Sequence, residues 1–187
     1  MNINDCYNFE DFRKLAKKKL PAPIFHYIDG GADDEVTLNR NTSSFNDYDL
    51  VPSVLNDVSN IDMSTTVLGE KIDFPLFPAA TAMHRLYHHE GERASAKAVE
   101  KARTIFGLST MSTVSIEEIA KINKGPKLFQ LYIHKDRGLT DNLLERCKKA
   151  GFTSMCLTVD TVVAGNRERD RRTGFTTPPK LTLGSLL

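Results

Sequence analysis

The sequence predicts an α/β fold built on a parallel sheet, and three observations carry that prediction. Short apolar runs at residues 76–80, 105–109, 128–132 and 155–159 alternate with amphipathic helical patterns at 90–103, 115–122 and 138–150. The units recur roughly every 20–30 residues, the spacing of a strand, a crossover helix and the next parallel strand. Each run ends in small or hydrogen-bonding residues: Thr81, Ser109, Gln130 with Tyr132, and Thr158 with Asp160. Parallel α/β proteins place their sites where strands give way to loops.

The first element is a helix. Phe9, Phe12, Leu15 and Ala16 recur at helical spacing with lysines between them, until Pro21 stops the pattern. A second short helix carries Ile24, Phe25, Tyr27 and Ile28 and ends at Gly30-Gly31, where positive φ is sterically free. Asp33 stands where it would cap a third. Residues 1–50 therefore form a helical N-terminal segment, and 51–187 hold the alternating strands and helices of the same domain. The helix at 90–103 opens with Glu90 and Glu92 and closes with Lys101 and Arg103, as the helix dipole favours.

Along a strand side chains alternate, so Gln130 and Tyr132 share one face, as do Thr158 and Asp160. Asp160 reads either as a site carboxylate or as the cap of a following helix. Residues 167–172, Arg-Glu-Arg-Asp-Arg-Arg, read as a mixed-sign solvated loop. Arg167, nearest the strand, is its candidate for gripping a carboxylate with two parallel hydrogen bonds.

An eight-unit βα barrel takes about 250 residues. Four units in 187 residues, ending at 182–187 just past the fourth strand and a polar loop, read as the first half of one. A complete small doubly wound sheet is the competing architecture. Against it, the first run ends in Ala79-Ala80-Thr81-Ala82, and no Gly-x-Gly-x-x-Gly or Walker A loop occurs.

Composition narrows the chemistry. Lys and Arg total 25 against 24 Asp and Glu, a net charge of +1, so no global field favours nucleic acid. No stretch approaches the roughly 20 apolar residues that cross a bilayer, and residues 1–5 lack a basic region followed by an apolar one. Cys6, Cys147 and Cys156 are too scattered for a disulfide framework, which points to a reducing cytoplasm. Peripheral attachment to the inner membrane stays open, since it needs no spanning segment. His84, His88 and His89 lack the spacing that puts two imidazoles on one helix face, so no metal is expected. Uncharged donors and acceptors grouped around one acid suit a flat heterocycle such as flavin.

Several separated segments together resemble the FMN-dependent α-hydroxy acid oxidases and dehydrogenases, the family of glycolate oxidase and the flavin-linked L-lactate dehydrogenases. They are Leu20-Pro21 through Phe25-His26-Tyr27-Ile28-Asp29-Gly30-Gly31-Ala32, then Pro78-Ala79-Ala80-Thr81-Ala82-Met83, Phe129-Gln130-Leu131-Tyr132, and Leu157-Thr158-Val159-Asp160-Thr161 with Arg167-Glu168. The resemblance implies a TIM (β/α)8 barrel of the FMN-linked type, here an N-terminal helical segment and about four βα units. It implies FMN, with Ala79, Ala80 and Thr81 along its reactive edge and Ser109, Gln130 and Thr158 hydrogen-bonded to its ring. It implies a small 2-hydroxy acid substrate bound by Tyr27, Tyr132 and Arg167, and catalytic parts for Tyr132 and for Asp160, which would orient a histidine.

That histidine, a substrate arginine, a lysine beside the flavin and the phosphate site belong, in the family, to the second barrel half. This chain alone is therefore expected to be inactive. Charge-assisted hydrogen bonds contribute about 1.5–3 kcal/mol each, so losing three would weaken FMN by roughly three to six powers of ten. The full-length form is expected to be a homo-oligomer, a tetramer by resemblance, acting on L-lactate. The alternatives are a glycolate-type oxidase, a non-catalytic half-barrel that serves as an oligomerisation or binding module, and a flavin-type isopentenyl diphosphate isomerase, against which Tyr27, Tyr132 and Arg167 argue.

Overall fold

The computed structural model describes residues 2–176, so the 182–187 stretch lies outside it. The element order is α1 (Phe9–Lys19), α2 (Ala22–Asp29), α3 (Val36–Ser43), β1 (Thr65–Val67), β2 (Glu70–Ile72), α4 (Glu92–Ala102), β3 (Phe106–Ser109), α5 (Ile116–Ile122), β4 (Lys127–Leu131), α6 (Arg137–Lys149), β5 (Ser154–Leu157) and α7 (Glu168–Thr173). They form two compact units: residues 2–54 with 163–176, and residues 55–162.

In the helical unit, α1 and α2 fall where the periodicity places them. The Asn8 side chain caps α1 by accepting from the Asp11 N–H at 2.9 Å, acids fill the first turn and Lys17, Lys18 and Lys19 the last. Leu15 and Phe25 are the buried residues of α1 and α2. Asp33 does not cap α3. Glu35 occupies the cap position at φ 57°, and Asp33 is itself left-handed at φ 47°, whereas a capping side chain needs extended backbone. Its carboxylate instead accepts from the Asn166 side chain at 3.0 Å.

The expected solvated loop at 167–172 is corrected to a helix, α7, closed by Gly174 at φ 71°. What orders it is charge. Arg169 bonds Asp29 at 2.8 Å and also Glu35, Arg13 pairs with Asp29 from α1, and Glu168 pairs with Arg172 one turn on. The Arg13 guanidinium, with Arg169, holds the Asp29 carboxyl below its ordinary range against the opposing effect of burial.

In the sheet unit, β1 and β2 form an antiparallel hairpin through Leu68 (φ 51°) and Gly69 (φ 83°), two successive left-handed residues of the kind a tight hairpin requires. The strand expected at 76–80 does not form. Pro75 and Pro78 have no N–H to give to a ladder. The segment is held instead by the Thr104 hydroxyl, which donates to the Leu76 carbonyl at 2.8 Å.

Strands β3, β4 and β5 are parallel with β4 in the middle. Leu108 is level with Phe129 and Ser109 with Gln130, while Gln130 is level with Cys156. Alternation then sorts the side chains. Phe106, Leu108, Phe129 and Leu131 join Ala96, Val99, Val114, Ile116, Ile119 and Cys147 in the main core. Ile105 and Leu128, on the other face, pack with Ile72 of β2 to close the N-terminal end of the sheet. That second face changes from apolar at its floor to polar at the strand tips, through Gly107 to Ser109, Gln130 and Thr158. Burial of the Cys147 thiol pushes it up to about 12, so it behaves as a core residue.

Ile119 is fully buried between the helices and the sheet. Ile119→Ala is expected to cost about 2–5 kcal/mol, measured as a lower urea midpoint with an unchanged slope.

Candidate active site

Three of the residues singled out by sequence form one hydrogen-bonded line across the strand tips. The Ser109 hydroxyl donates to Gln130 Oε1 at 3.0 Å, and Gln130 Nε2 donates to Thr158 Oγ1 at 2.6 Å. The Thr110 N–H reaches the same Oε1 at 3.3 Å, which fixes the orientation of the amide. Ser109 and Gln130 are buried, so each must be satisfied inside the protein. The Thr110 hydroxyl adds a second tie, donating to the Gln130 carbonyl at 2.6 Å and accepting from the Tyr132 N–H at 3.1 Å. Tyr132 is half-buried just past the end of β4, and Asp160 lies exposed two residues beyond Thr158.

Ala80 is set against β3 by a missing side chain. A Cβ on Gly107 would stand 3.0 Å from the Ala80 nitrogen and 3.2 Å from its Cα, so a side chain there would require the Ala80 backbone to give by a few tenths of an ångström. Ala79 and Thr81 flank it and are exposed. Thr81 is hydrogen-bonded to His84 Nε2.

Beneath these loops sits a buried acid. Glu92, 1% exposed at the start of α4, accepts from the Thr113 N–H at 2.8 Å, the Thr113 hydroxyl at 2.5 Å and the His84 N–H at 3.3 Å. Burial drives its carboxyl upward, but the hydrogen bonds from Thr113 and His84 outweigh it and leave it below its ordinary value of 4.5. Met83 N–H to Met111 carbonyl, 3.1 Å, and Arg85 N–H to Thr113 hydroxyl, 3.2 Å, complete a brace between the loops after residue 80 and after β3. Glycine inside a strand pattern was the sequence signal for Gly107. Nothing in the sequence distinguishes Glu92 from a dipole-favoured surface acid.

Tyr27 and Arg167 meet in the helical unit. Arg167 donates to the Tyr27 carbonyl, its guanidinium carbon stands 5.3 Å from the centre of the Tyr27 ring, and it pairs with Asp170 at 2.6 Å. The Tyr27 ring also stacks on Phe175 at 4.2 Å. The guanidinium is thus pre-oriented, part of its fork being used on its own loop.

The donor set fits a flavin ring. In the line from Ser109 to Gln130 to Thr158, each group passes its hydrogen onward, leaving a second Gln130 N–H and the Thr158 hydroxyl hydrogen. Two adjacent donors at parallel strand tips match the carbonyl acceptors of an isoalloxazine edge. No group of three or more His, Cys, Asp or Glu among the described residues is arranged to hold a metal ion.

Comparison with known proteins agrees with this chemistry. Residues 16–187 match the model of the FMN-dependent dehydrogenases, and the chain belongs to that family. Among its relatives, L-lactate oxidase of Nostoc sp. is 47% identical over 188 residues, covering 98% of this chain and 52% of the relative. Glycolate oxidase 1 of Zea mays is 45% identical over 181 residues, covering 97% and 49%. A soluble mutant of the membrane-associated (S)-mandelate dehydrogenase from Pseudomonas putida superposes with a TM-score of 0.86 at 38% identity, covering 97% of this chain and 52% of that structure. The chain spans about half the length of the curated relatives it matches. The fold is that of the FMN-linked (β/α)8 barrels, with FMN the family's cofactor. No helix among the described residues is long and apolar enough to cross a membrane.

Two outcomes follow from the brace and from the close approach. Because the folded carboxyl of Glu92 is the stronger acid, its contribution is complete above the unfolded value near 4.5 and fades as pH falls through the lower folded value. Thermal melts from pH 7 to pH 3 should show Glu92→Gln less stable by about 1–3 kcal/mol at neutral pH, with the difference shrinking in acid. Gly107→Ala should push the segment at 78–81 off β3, costing about 1–3 kcal/mol and moving the amide resonances of Ala79, Ala80 and Thr81.

Proposed function

We propose that this chain supplies the flavin-gripping strand tips and part of the substrate grip of an FMN-dependent oxidase or dehydrogenase of L-2-hydroxy acids, with L-lactate the leading substrate. The observation that carries the reading is the ordered donor line from Ser109 through Gln130 to Thr158, on a chain 47% identical to a protein named L-lactate oxidase. FMN, when bound, takes the hydride equivalent lost from the substrate's α-carbon.

The chain's own residues do the rest of the positioning. Gln130 and Thr158 would hold and orient the ring, and their own partners fix them in advance, so little ordering is needed on binding. Ala79, Ala80 and Thr81 give the reactive edge a wall of small side chains, fixed in place by Gly107. Tyr27, Tyr132 and Arg167 take the substrate's carboxylate and hydroxyl. Asp160 holds an imidazole in one tautomer and orientation, a histidine that the remaining part of the fold contributes.

Glycolate is the second substrate reading, favoured by the 45% identity to proteins named glycolate oxidase. The test is reconstitution: this chain, co-expressed with the C-terminal half of the Nostoc L-lactate oxidase and loaded with FMN, should show flavin bleaching on anaerobic addition of L-lactate and slower bleaching with glycolate. Absence of bleaching by either acid in a folded, FMN-loaded assembly would overturn the reading.

A further inference from the structure

His84 sits three residues past Thr81, in a short 3-10 turn spanning His84–Leu86. Both of its ring nitrogens are engaged. Nε2 bonds the Thr81 hydroxyl, and Nδ1 bonds the Ser95 hydroxyl, one turn into α4, at 3.3 Å. Its backbone N–H donates to the buried Glu92 carboxylate, which is itself anchored by Thr113. The ring therefore cannot swing away from Thr81 without also breaking its bond to Ser95, and the backbone that carries it is tied to Glu92.

We propose that His84 is a positioning residue: braced by Ser95 and Glu92, its ring fixes the rotamer and the hydrogen-bonding role that the Thr81 hydroxyl presents to the flavin. The proposal rests on the flavin reading given above, in which Thr81 lines the reactive edge. A neutral imidazole carries one ring hydrogen, so one nitrogen donates and the other accepts. If Nε2 carries the hydrogen, the Thr81 oxygen accepts from it and sends its own hydrogen outward. If Nδ1 carries it, Thr81 donates to Nε2 and offers only lone pairs. Either tautomer gives Thr81 a single role, whereas an exposed threonine without such a partner has three rotamers and a freely turning hydroxyl. The coupling runs from Glu92 and Ser95 to the ring, and from the ring to Thr81. Metal binding is not part of it.

The experiment uses the isotope-labelled 187-residue chain assembled with the unlabelled C-terminal half of the reconstitution above, with FMN itself as the titrant. In the parent, the His84 ring nitrogens should report one tautomer, and FMN should shift the amides of Thr81, Ser109 and Gln130. In His84→Ala the shift at Thr81 should be lost while those at Ser109 and Gln130 persist, with FMN affinity lowered about threefold to tenfold. His84→Gln, whose amide retains a donor and an acceptor, should restore part of the Thr81 response. Ser95→Ala keeps the ring and removes only its far anchor, so two interconverting tautomers should appear. That variant decides the matter if His84→Ala fails to fold. An unchanged Thr81 response in His84→Ala, or a single unaltered tautomer in Ser95→Ala, would overturn the proposal and leave the flavin reading standing. If FMN shifts none of the three amides in the parent, the flavin reading falls and the proposal with it.

Discussion

Burial of β4 along its whole length is the constraint on which the sheet unit depends. All five of its residues are buried, so every polar group it carries must find a partner within the protein. Phe129 and Leu131, with no polar group in their side chains, can simply turn into the helix-covered core, and Leu128 can pack on Ile72 and Ile105. Gln130 cannot. A buried amide left unbonded costs about 1–3 kcal/mol per group, and its two ends are satisfied by Ser109 on one neighbouring strand and Thr158 beyond the other. The stability requirement of the middle strand and the arrangement of donors at the strand tips are one and the same set of bonds.

The loops around those tips are held by the same logic. Glu92 is a carboxylate out of water, tolerable only because three donors converge on it. Those donors come from the turn at His84 and the loop at Thr113, so the cost of burying the acid is met by fixing two loops. The helical unit relies on partly buried charge instead. Arg169 joins Asp29 and Glu35, and Arg167 joins Asp170 and the Tyr27 carbonyl. A partly buried guanidinium bridging elements distant in sequence is worth more than an exposed pair within one helix, such as Glu168 with Arg172.

Much of the fold was legible because its signals are local. Leu15 and Phe25 mark the buried faces of α1 and α2, and the order of strand tips gave Ser109, Gln130 and Thr158 as neighbours. The misreadings have two causes: some depended on a partner remote in the chain, others on local backbone limits that apolar periodicity does not report. Residues 168–173 look like a solvated charge run until Asp29 and Glu35 are brought against Arg169. The apolar run at 76–80 looks like a strand, but Pro75 and Pro78 deny it a ladder. The hairpin of β1 and β2 has no Asn-Gly to announce it, since Leu68 takes a left-handed conformation that its sequence does not favour. His84 looked like a failed metal ligand, and its bonds to Thr81 and Ser95 became visible only in three dimensions.

By itself, the sequence determined the alternation of helices and strands from residue 90 onward, the family, the flavin and the polar residues at the strand tips, because periodicity and short motifs are properties of neighbours along the chain. Tertiary structure alone decided which hydroxyl donates to which amide, that Glu92 is a buried brace, and that Gly107 is the floor beneath Ala80. Those outcomes turn on separations of about 3 Å between residues about 20–30 positions apart, and hydrogen bonds are decided by distance and angle, which no one-dimensional pattern contains.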